Sequence, residues 1–151
     1  MNPIADELSA SITTTWTGDT SAPFVFPFQL GGDRPPRPAW IEIDVARWRR
    51  NFALILQDLP SGVQLLSVVK DEAYGHGLLP AARVAIDSGV KFLAVSTVEE
   101  AIKLRDCGIR QRILLLGDRQ EAELPWCVAH DLTCCVSEPG VVAKLAAAAP
   151  S

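Results

Sequence analysis

"VQLLSVVKDEAYGHG", residues 63–77, joins two opposites: an apolar, strand-sized run that ends on Lys70, and a polar segment carrying Tyr74, Gly75, His76 and Gly77. A buried strand that delivers one lysine to its end and then opens into a glycine-rich loop fits the C-terminal rim of a parallel sheet. There the loops stand over a rigid core and collect chemistry. Lys70 is therefore either an exposed cation that simply ends a strand or an amine held for reaction with a carbonyl, the chemistry of a Schiff-base lysine.

Working outward, strand and helix patterns alternate. After "VQLLSVVK" come "LLPAARVAIDSG" (78–89) as helix, "KFLAVS" (91–96) as strand and "TVEEAIKLRDCG" (97–108) as helix. The series continues with "RILLLG" (112–117), "DRQEAELPWCVAHD" (118–131), "LTCCVS" (132–137) and "EPGVVAKLAAAA" (138–149), as strand, helix, strand and helix. Thr97 with Glu100 forms a capping box, Gly89 and Gly108 sit where a helix end wants a left-handed residue, and Ser137 with Pro139 marks a helix start. Ahead of the series, "AWIEID" (39–44) alternates as a strand and runs into Asp44 as a helix cap. Val45, Trp48, Phe52 and Ile55 then make one helix face, with Arg47, Arg49 and Arg50 on the solvent side.

Strands apolar on both faces, separated by single helices, pack as a parallel sheet, either open and doubly wound or part of a barrel. Residues 1–38 differ in kind: a Ser/Thr-rich stretch, an aromatic patch at Phe24, Phe26 and Phe28, then "GGDRPPRP". They are expected to form a flexible extension, with the patch free to dock locally or on a partner.

Composition removes several classes of function. Fourteen Lys and Arg against 18 Asp and Glu give a net charge of -4, and no basic stripe with interleaved aromatics is present, so nucleic-acid binding is not expected. No apolar run approaches the roughly 20 residues needed to cross a bilayer, and the start lacks a signal-peptide pattern, which points to a cytoplasmic protein. Cys107, Cys127, Cys134 and Cys135 show no metal-type spacing and read as reduced, buried thiols, with no metal site expected.

In "AYGHG", glycines let the backbone pass close to a ligand and Tyr74 offers a hydroxyl that can donate to a phosphate oxygen. His76 reads as a structural hydrogen-bonding group, and so does His130. Taken together, "VVKDEAYGHG" resembles the pyridoxal-phosphate attachment segment of the alanine racemase family. "AWIEIDVARWRRNF" and "FLAVSTVEEAIKLRDCGIRQRILLLG" resemble that family's opening strand and helix and its next two barrel units.

The resemblance implies a fold: residues 39–151 as the N-terminal half, about four strand-helix units, of a (β/α)8 barrel. It also implies an isomerase that interconverts L-alanine and D-alanine, supplying D-alanine for peptidoglycan, with pyridoxal 5'-phosphate as cofactor. Lys70 matches the lysine that forms the Schiff base (aldimine) and serves as one of two acid/base groups, and Tyr74 matches a tyrosine that holds the cofactor phosphate. Two positions depart from the family pattern: Asp71 stands for the usual alanine and Glu72 for Asp or Asn. Two carboxylates beside the lysine would favour its charged form unless they point away.

The family's later barrel half and β domain bring the remaining cofactor and substrate contacts and the opposite-face tyrosine, which acts across a dimer interface. On that basis the chain is expected to be truncated and inactive alone, with a small amino acid, alanine first, as substrate. The alternative is a non-catalytic cofactor-binding or interaction module. Half a barrel leaves its end strands, by Lys70 and Cys134, unpaired on one side, so self-association or a complementary half is expected.

Overall fold

A computed structural model of the chain describes residues 24–25 and 42–149. Apart from Phe24–Val25, the expected extension 1–38 lies outside the described residues. So do Phe26 and Phe28 of the aromatic patch and residues 39–41 of the first expected strand. Phe24–Val25 (β1) pairs antiparallel with Glu42–Ile43 (β2), apart from the main sheet.

Asp44 accepts a hydrogen bond from Arg47 N at 2.8 Å and caps α1 (Val45–Gln57), as its position before an apolar-periodic run requires. The buried face of α1 runs Val45, Trp48, Phe52 and on to Leu56, while Ile55 is exposed. The expected Ile55 lies about 100° round the helix from Leu56, off the stripe. Arg47 and Arg50 face solvent as expected, whereas Arg49 is partly covered and its Nη2 donates to Asp87 Oδ2 at 3.0 Å.

The main sheet has four parallel strands, β3 (Leu66–Val68), β4 (Phe92–Val95), β5 (Arg112–Leu115) and β6 (Thr133–Cys134), paired in chain order. A doubly wound sheet reverses its strand order at a switch point, whereas a barrel adds each strand beside the last. No switch point lies among these four strands, which is the order a barrel requires. Between the strands lie a short turn α2 (Lys70–Gly75), then α3 (Leu78–Asp87), α4 (Val98–Asp106), α5 (Leu124–Ala129) and, after β6, α6 (Pro139–Ala148).

Alternation along the strands assigns the two faces of the sheet. Val69, Leu93, Val95, Ile113 and Leu115 cluster with Ala81, Ala82 and Ala85 of α3 and with Val98, Ala101 and Leu104 of α4. Small residues let α3 lie close to the sheet, and Leu104 is fully buried. Burying one such side chain contributes about 1.5–3 kcal/mol. The opposite face carries Val68, Ala94 and Leu114, which are cross-strand partners, and Val68 is 40% exposed.

Three expectations need correction. "DRQEAELPWCVAHD" forms a single 3-10 turn at Glu121–Glu123 before the six-residue α5, because Pro125 belongs at a helix's first turn and cannot sit in its interior. α6 starts at Pro139 as expected, but Glu138 and not Ser137 stands at its N-cap, without a side-chain bond. The four thiols are free, but Cys107 is exposed, since it lies at the C-cap of α4 just before Gly108 turns the chain; Cys127 is buried and Cys134 and Cys135 are partly so.

Candidate active site

The ends of the four strands stand level. Val69 N donates to Ala94 O at 2.8 Å, Leu116 N to Val95 O at 2.9 Å, and Cys135 N to Leu115 O at 3.4 Å, so the ladder continues one residue past β3, β5 and β6. Val69 is almost wholly buried. Lys70 is thus the first residue to emerge at this rim, where the sequence places it, and its side chain is 32% exposed.

The segment after Lys70 is a tight helical turn and not the expected loop. Asp71, Glu72, Ala73 and Tyr74 all adopt left-handed helical conformation, with φ between 50° and 56°, and Gly75 and Gly77 continue with φ of 95° and 89°. Left-handed helix costs L-residues roughly 1–2 kcal/mol each, so this one turn stores roughly 4–8 kcal/mol. That is comparable with the whole stability of a small domain, about 5–15 kcal/mol. Strain of this size persists only where surrounding bonds over-determine it, and it gathers at functional sites.

The bonds are present. Glu72 Oε2 accepts from Leu78 N at 3.0 Å, and Gly77 N donates to Glu72 O at 2.7 Å. His76 Nδ1 lies 2.9 Å from Ala73 O, which makes that nitrogen the protonated donor, and its ring packs 5.5 Å from Trp48. His76 has the structural bond expected of it. Ala73 is buried beneath the turn. From α4, Glu100 Oε1 accepts from Asp71 N at 2.6 Å, while Oε2 accepts from Ser96 N at 2.9 Å and Thr97 N at 3.1 Å.

The two carboxylates beside Lys70 part company. Asp71 Oδ2 lies 3.7 Å from Lys70 Nζ, but Glu72 is engaged with Leu78 N, and its Oε1 is 4.0 Å from Lys103 Nζ. Only Asp71 therefore acts directly on the lysine. Tyr74, 64% exposed, stands clear of the core. Among the described residues a Cβ built at Gly75 would meet no atom within 4 Å, so there is open space beside that glycine. An amine at the rim, an exposed phenol and the space beside Gly75 fit a phosphate-bearing aldehyde. Among the described residues no cluster of His, Cys, Asp or Glu could hold a metal ion.

The family model for the alanine racemase N-terminal domain matches residues 43–151. The chain belongs to the alanine racemase family. An alanine racemase of Halothermothrix orenii is 37% identical over 99 residues, 66% of this chain and 26% of that protein. The alanine racemase of E. faecalis superimposes with a TM-score of 0.65 at 32% identity, covering 69% of this chain and 28% of that one. The Bacillus anthracis alanine racemase, solved with bound L-Ala-P, gives 0.62 at 32% identity over 66% of this chain and 26% of that one. The chain spans about a quarter of the length of the relatives it matches. The alanine racemase barrel accounts for the sequential parallel sheet.

Sequence reasoning did not find the left-handed turn or the reach of Glu100 to Asp71. "DEAY" contains no glycine to announce positive φ, and a capping-box glutamate gives no sign of a bond 29 residues away. Arg105 was also passed over. It is buried at the opposite end of the sheet, donating to the carbonyls of Ile109, Gln111, His130 and Asp131 at 2.8–2.9 Å. Burial lowers its pKa from the usual guanidinium value, with Arg110 acting the same way and Asp131 against it.

Proposed function

We propose that this chain carries the cofactor-lysine half of an amino-acid racemase site, with pyridoxal 5'-phosphate as cofactor and alanine as the first candidate substrate. The observation that carries this reading is Lys70, held at the barrel rim by a strained left-handed turn whose Tyr74 is exposed and whose Gly75 has open space beside it among the described residues. The Bacillus anthracis relative with bound L-Ala-P agrees with a small amino acid as ligand.

When bound, pyridoxal phosphate supplies an electron sink that acidifies the substrate's α-proton. Lys70 Nζ would link to the cofactor aldehyde and, once displaced by the substrate amine, move a proton at the substrate Cα from one face. Tyr74 Oη would donate to a phosphate oxygen. Asp71, 3.7 Å from the amine, would keep it close to the rim. The other face needs a second acid/base group, and the resemblance assigns none to residues 1–151.

The 151-residue chain is accordingly expected to bind the cofactor without racemising alanine, and to act in association with a second copy or a complementary half. Titration with pyridoxal phosphate, followed by visible absorbance, should give an imine band that Lys70→Ala loses. Conversion of L-alanine to D-alanine by this chain alone would overturn the assignment of the second group to another segment. Absence of any band would favour an interaction module that retains the fold without the cofactor.

A further inference from the structure

We propose that Glu100 is a positioning residue for Lys70, acting by holding the left-handed turn against the end of β4. The proposal rests on Lys70 being the cofactor lysine. A capping box asks one thing of its glutamate, a bond back to the N-cap amide. Glu100 does this for Thr97 N and also takes Ser96 N on the same oxygen, while Oε1 reaches Asp71 N at 2.6 Å. Asp71 comes directly after Lys70 and is the first of the four left-handed residues. One carboxylate therefore ties the residue next to the amine to the strand end beside it.

The donor set explains why a carboxylate stands there. Three N–H groups converge on two oxygens, and an ionised carboxylate is acceptor-only. Glutamine offers one acceptor oxygen and turns an NH2 toward a donor. One turn along α4, Lys103 stands 4.0 Å from Glu72 on the same side, but that pair is exposed and adds little.

Capping and positioning are separable. Thr97 Oγ1 accepts from Glu100 N at 3.2 Å, so Thr97→Val weakens the helix cap and leaves the bond to Asp71 in place. Hydrogen exchange of the peptide covering 67–77 would be measured in the purified chain and in Glu100→Gln and Thr97→Val, alongside borohydride trapping of pyridoxal phosphate on Lys70. Glu100→Gln should speed exchange in the turn roughly tenfold or more, the scale of a lost charge-assisted bond, and reduce trapping at Lys70. Thr97→Val should change neither, although it lowers the melting temperature.

Unchanged exchange in Glu100→Gln, or an equal change in Thr97→Val, would overturn the proposal and leave Glu100 a helix cap alone. Glu100→Asp, which keeps the charge and shortens the reach, serves as the second variant should Glu100→Gln lose its cooperative fold. Faster exchange in Glu100→Gln with no trapping at Lys70 in any variant would uphold the clamp and count against the cofactor reading instead.

Discussion

Tyr74 combines an unfavourable backbone, φ 56°, with a phenol standing mostly in solvent. If that hydroxyl donates to a phosphate, Tyr74→Phe should weaken pyridoxal phosphate binding about tenfold or more. It should leave the affinity for pyridoxal, which lacks the phosphate, unchanged. Equal losses for both ligands in parallel titrations would remove the role. The thiols differ as sharply. Burial, then the hydrogen bond and charge of Cys134, push the Cys127 thiol from 9.0 up to about 12, while Cys107 is exposed. Iodoacetamide at neutral pH should therefore modify Cys107 and spare Cys127 in the folded chain, as peptide mapping would show. The folded state holds the Cys127 proton more tightly than the unfolded chain does. Its contribution to stability is thus full below pH 9 and is lost as pH rises from 9 through about 12.

At the scale of elements, one side chain gathers two turns at the end of the sheet away from the rim. Arg105 satisfies four carbonyls in the α4–β5 and α5–β6 connections. Removing a partner from buried polar groups costs about 1–3 kcal/mol for each that water does not reclaim. Arg105→Met should therefore lower stability by at least about 2 kcal/mol in urea melts while leaving Lys70 trapping intact, since the two ends of the sheet are separate. A drop in trapping under folding conditions would contradict that separation. The alternating elements were legible because period-2 and helical patterns, the Thr97 capping box, and Gly89 and Gly108 all agreed locally. The turn after Lys70 was not legible. Its conformation is imposed by Glu100, Leu78 N and the buried Ala73, contacts that local propensity does not contain. Within α5, Pro125 was the visible signal for a late helix start, and it outweighed the helical pattern of residues 118–123.

Across the whole molecule, β3 and β6 each pair on one side among the described residues, and the sheet face bearing Val68 is incompletely covered. Unpaired edges and open apolar faces favour association. Sedimentation of the 151-residue chain should therefore show species larger than a monomer, and a monodisperse monomer with a sharp melt would count against this. Among the described residues no helix is long and apolar enough to cross a membrane. The racemase reading stands or falls on Lys70. The most direct measurement is to incubate the chain with pyridoxal phosphate, reduce with borohydride and map the modified lysine by peptide mass. Selective labelling of Lys70, abolished in Lys70→Ala, is the predicted result. Labelling spread over Lys91, Lys103 and Lys144, or none at all, would contradict the assignment of Lys70 as the cofactor lysine.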